Sequence, residues 1–71
     1  MKFADWFADK LAERRDLTTM AVATQVGVLD GDVEDWLAGR TVPNQDECKR
    51  IANMLDVRAE EVIARCRAPS P

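Results

Sequence analysis

Asp30, Asp32, Glu34 and Asp35 place four carboxylates within six consecutive positions, the densest chemistry in the chain. Clustered carboxylates can hold a hard cation, exchange protons with a substrate, or accept hydrogen bonds from a cationic or amino-bearing partner. Cation binding of the calcium-loop kind needs a 12-residue frame closed by a Glu, and these four residues have no such frame. Paired-carboxylate hydrolysis needs a cleft, and a chain of 71 residues has little material to build one. The absence of histidine excludes His-based zinc sites and His-based acid/base catalysis. Cys48 and Cys66 lack CxxC spacing and read as small helix residues with reduced thiols, which makes the cytosol the expected compartment. No catalytic residue, cofactor or metal is expected. Recognition of a partner remains.

The elements that must carry these residues are helical, because no segment alternates apolar and polar side chains with a period of two. Phe3, Phe7 and Leu11 recur every four residues and predict a first helix over roughly 3–15, within two residues at each end. Thr18 is a good N-cap for a short second helix over 19–26, with Val22, Ala23 and Val26 turned inward and Gly27 ending it in the left-handed conformation. A third helix is predicted over 31–38, capped by Asp30 and stopped by Gly39. Asn44 and Glu47 have capping-box spacing at the head of a fourth helix over 45–55, with Ile51, Met54 and Leu55 on its apolar face. A fifth, packed through Val62 and Ile63, runs to about residue 66. Helices of about eight residues are not stable alone in water, so the second and third must be held by the others. Trp36 is expected in the core; Trp6 is left open between the edge of the first stripe and an exposed dimer contact. One domain over 1–67 is expected, with a frayed tail at 68–71. No apolar stretch is long enough to span a bilayer, and Asp5 and Asp9 interrupt what would otherwise be a signal-like start.

Helix, glycine-containing turn, helix is a recurrent DNA-binding unit. The ordered set Leu17-Thr18, Ala23, Gly27-Val28, Val33, Trp36, Gly39-Arg40 and Pro43, continuing into Ile51-Ala52, Leu55, Val57 and Glu60-Glu61-Val62, resembles the Cro/C1-type (lambda-repressor-like, XRE) helix-turn-helix domain over residues 3–66. The resemblance implies a compact five-helix, all-α lambda-repressor-like DNA-binding domain with a helix-turn-helix core. It implies a repressor-like transcriptional regulator, usually dimeric, that reads double-stranded DNA with its third helix. By family position the DNA-facing set is Thr18, Thr19, Asp30, Gly31, Asp32, Glu34, Asp35 and Arg40. Thr19 falls where the family contacts phosphate; Asp30, Gly31 and Asp35 fall at base-reading positions; Arg40 falls beside the backbone.

The charge pattern pulls the other way. Residues 1–16 carry four bases and four acids, and residues 44–71 carry five of each. Residues 17–43 carry Arg40 alone against Asp30, Asp32, Glu34 and Asp35, so the net charge of −3 lies wholly in this segment. Affinity for DNA comes largely from Lys and Arg neutralising phosphates, which four carboxylates oppose. Part of the cluster has a local explanation, since acids in a first helical turn gain about 0.3–1 kcal/mol from the macrodipole. Leu29 stands where the family favours a Ser-like cap. The alternative expectation is therefore a helix-turn-helix domain whose acidic third helix contacts a basic protein partner. The sequence leaves a monomer and a homodimer through helices 4 and 5 both open, and no membrane partner is expected.

Overall fold

The computed structural model describes residues 2–67 and contains, in chain order, α1 (Phe3–Glu13), α2 (Thr19–Val26), α3 (Asp30–Ala38), α4 (Gln45–Leu55) and α5 (Ala59–Arg67). No strand occurs among these residues, and no helix is long and apolar enough to cross a membrane. The tail at 68–71 lies outside the described residues. The Cα radius of gyration is 10.9 Å, against roughly 11 Å expected for a folded chain of this length.

Every helix sends at least one side chain to full burial: Phe7 from α1, Val22 and Val26 from α2, Val33 from α3, Ile51 from α4 and Val62 from α5. Burying one such side chain stabilises by about 1.5–3 kcal/mol, so the five short helices are held by what they share. The aromatic residues form one cluster. Phe3 stacks on Phe7 with centroids 5.1 Å apart, and both rings meet the edge of Trp36, at 6.5 and 6.3 Å. Trp6 joins them at 6.0 Å from Phe3 and is only 4% exposed, with the Lys10 ammonium 5.9 Å from its ring centroid. An exposed dimer contact at Trp6 is thereby ruled out. α4 packs most broadly on α5, while α3 is held by α2 and α1.

Local chemistry sets the helix ends. Thr18 Oγ1 accepts the Ala21 N–H at 3.1 Å and caps α2. Gly27 closes α2 at φ +85° and Gly39 closes α3 at φ +79°, both in the left-handed region that a side chain disfavours. Asn44 and Glu47 form the full capping box of α4, with bonds of 2.8 and 2.9 Å. α4 ends on Asp56 at φ 57°, a left-handed conformation that Asp tolerates better than most residues.

α1 stops at Glu13, at the short limit of the expected span, because Leu17 is buried and the chain must turn at Arg14–Asp16 to bring it back to the core. One cap differs from expectation. Asp30 does not cap α3; it is the helix's first residue, and Leu29 occupies the cap position. Leucine has no side-chain acceptor. Asp32 takes over the work from inside the helix, its Oδ2 accepting the Leu29 N–H at 3.2 Å.

Candidate functional site

α3 is a nine-residue helix with two unlike faces. At 100° per residue, Val33 and Trp36 fall on one side and are buried, and Leu37 packs beside them. Asp30, Gly31, Asp32, Glu34 and Ala38 are exposed, and Asp35 is half-buried at the boundary. The three-residue turn Gly27-Val28-Leu29 sets the orientation. Gly27 donates its N–H to the Ala23 carbonyl at 2.8 Å and Val28 donates to the same carbonyl at 2.9 Å, while partly buried Val28 anchors the turn on the core. Arg50 of α4 locks the turn from outside, donating from Nη1 to the Val26 carbonyl at 2.9 Å. A cation on the last carbonyls of a helix satisfies an unpaired acceptor and favours the macrodipole.

The structure divides the expected site residues by what they already do. Thr18 is exposed but engaged as the α2 cap, and Thr19 is half-buried at the first position of α2. Asp32 is committed to the Leu29 N–H. Asp35 and Arg40 are committed to each other: Arg40 Nε donates to Asp35 Oδ1 at 2.8 Å, and the Arg40 N–H donates to the Asp35 carbonyl at 2.9 Å. The side-chain pair is exposed and contributes about 0–1 kcal/mol to stability. Its larger consequence is directional, because the only base of residues 17–43 is folded back onto its own helix. Asp30 and Glu34 carry exposed carboxylates with no hydrogen bond or ion pair among the described residues.

Gly31 lies between them. A Cβ built there meets nothing within 4 Å, and its φ is not left-handed. Neither crowding nor backbone conformation therefore requires glycine at this position, although glycine weakens a helix relative to alanine. The helix surface at Gly31 is open, and its backbone is left uncovered by a side chain.

Two apolar residues of this region are exposed: Leu29, next to Asp30, at 75%, and Met20 in the first turn of α2 at 66%. Leu29 was visible as a departure from a polar cap, whereas Met20 reads from sequence as one more apolar residue of a helix. No three Cys, Asp or Glu side chains among the described residues are grouped closely enough to hold a metal ion. Compared with known protein families, curated proteins and solved structures, the chain has no match.

Proposed function

We propose that this chain is a small DNA-binding transcriptional regulator in which α2 and α3 form a helix-turn-helix unit and the outer face of α3 reads the major groove. The observation that carries this reading is the exposed face from Leu29 to Glu34. It holds two uncommitted carboxylates, a backbone left bare at Gly31 and an exposed Leu, on a helix whose other side is fixed in the core. Each of these features has a use against base edges. A carboxylate accepts from cytosine N4, an apolar side chain meets the thymine methyl, and a missing side chain lets the backbone approach closely.

Electrostatics set the character of the binding. Asp35 is offset by Arg40, so the uncompensated charge toward DNA is smaller than the four acids suggest. Arg50 is occupied by the Val26 carbonyl, and Arg14 lies 3.6 Å from Asp16. Lys2, Arg15, Lys49, Arg58, Arg65 and Arg67 have no side-chain hydrogen bond or ion pair among the described residues, and all six lie outside the α2–α3 segment. Phosphate contacts would have to come from these flanking bases, and the expected affinity falls as salt rises.

A second reading is favoured by one observation: Arg40 is turned onto Asp35 and leaves the rest of the face anionic. On that reading α3 docks on a basic protein surface, and salt weakens the complex.

Selection from a random duplex pool by the folded domain, followed by anisotropy titrations at low and near-physiological salt, tests the first reading. The expected result is an enriched motif containing cytosines, with affinity falling as salt rises. Replacing Asp30→Asn together with Glu34→Gln leaves the Asp32 cap intact, and should raise non-specific affinity while relaxing base preference. A flat response from folded protein at low salt would overturn the DNA reading and leave the basic-protein reading to be tested.

A further inference from the structure

Cys48 and Cys66 are 18 residues apart in sequence, and their sulfur atoms are 3.6 Å apart across the α4–α5 interface. Cys48 is 2% exposed and also points its Sγ at the Pro43 carbonyl, 3.7 Å away. Cys66 is half-buried. Both line a surface cleft whose walls include Pro43, Gln45, Ile63 and Arg67, so the pair is reached from solvent on one side. Both are free thiols. Neither is used by the α3 face.

We propose that Cys48 and Cys66 form a reversible intramolecular disulfide that staples α5 to α4, with a low-molecular-weight disulfide such as oxidised glutathione as the oxidant. The Cys66 thiol loses its proton to solvent, and its thiolate attacks one sulfur of the oxidant. That step breaks the oxidant's S–S bond and releases one reduced thiol after the leaving thiolate takes up a proton. Cys48, deprotonated in turn, attacks the Cys66 sulfur, displaces the second thiolate and forms the Cys48–Cys66 bond. Two protein thiols are oxidised, one disulfide is reduced to two thiols, and the balance closes. Cys66 reacts first because it is the more exposed of the two. Cys48 resolves the intermediate because it already lies against the same sulfur. Arg67 at the cleft gives an anionic oxidant a positive neighbour.

The environment also governs the rate. Burial, and then the neighbouring Cys48 thiol, push the Cys66 thiol up to about 12, and burial raises Cys48 as well. Thiolate is the reacting species, so the folded dithiol oxidises slowly at neutral pH and about tenfold faster for each unit of rising pH between 7 and 9. The bond closes a loop of about eighteen residues, and constraining such a loop in the unfolded chain raises Tm by roughly 10–20 °C in a domain of this size.

The test uses the 71-residue protein with excess oxidised glutathione across pH 7–9, with alkylation of remaining thiols, intact mass, peptide mapping and thermal melts with and without reductant. The expected product is a monomer lighter by two hydrogen atoms. It has no alkylatable thiol, its Cys48 and Cys66 peptides are joined, and its raised Tm returns to the starting value on reduction. Cys66→Ser should yield no internal cross-link and no Tm gain, and wild-type behaviour decides the matter if that variant folds poorly. A stable glutathione adduct on Cys66, a disulfide-linked dimer, or a cross-linked monomer with an unchanged or lowered Tm would each overturn the proposal.

Discussion

Helix α4 is secured by several independent devices of its own, whereas the shorter α2 and α3 carry the chain's net charge and lean on α4 at their turn. α4 has a complete capping box, eleven residues and a buried row of Cys48, Ile51, Ala52 and Leu55. α5 packs broadly against it, and the acids and bases of residues 44–71 balance. α2 and α3 have eight and nine residues, glycine stops, and the chain's entire net charge on their segment. Even the last carbonyl of α2 is satisfied from α4, by Arg50. One region thus supplies the foundation, and the other presents surface that the fold does not consume.

The largest test of this division is Ile51→Ala, which removes a fully buried side chain from the foundation and should cost about 2–5 kcal/mol. Urea unfolding followed by Trp fluorescence and by far-ultraviolet circular dichroism should show one coincident transition, α3 being lost with α4. Two separate transitions would mean that α2 and α3 stand without their support. Gly27→Ala is smaller, at about 1–2 kcal/mol, because alanine must adopt φ +85°. Its Cβ would also lie 3.2 Å from Arg50 Nη1 and would press on the bond that locks the turn. The same urea assay measures it, and a neutral result would remove the turn's claim to orient α3. Gly31→Ala is the smallest and has the opposite sign. With open space around it and a helical backbone, alanine should stabilise the domain by about 0.4–1 kcal/mol. On the proposed function the same change weakens partner binding at the α3 face. Stabilisation with unaltered binding would make Gly31 irrelevant to recognition.

Much of the fold was legible because its signals are local. The spans of α2 and α4 follow from Thr18, Gly27 and the Asn44–Glu47 pair, which act within four residues of themselves. The end of α1 was legible only to within two residues, since it depends on Leu17 returning to a core assembled from distant residues. The cap of α3 was missed for a related reason: an Asp at the expected position concealed a reciprocal bond made by another Asp two residues later.

The site divides along the same line. Residue types alone determined that the side chains clustered on α3 are carboxylates, in a chain without histidine, and that the net charge is concentrated between residues 17 and 43. Only the tertiary structure decided which carboxylates are spoken for. Sequence spacing cannot distinguish Asp35, held by Arg40, and Asp32, held by the Leu29 N–H, from Asp30 and Glu34, which remain available. Burying Trp6 and bringing Cys48 against Cys66 were likewise tertiary decisions. Helical periodicity states which face a residue occupies, but only the packing of one helix on another states what that face meets.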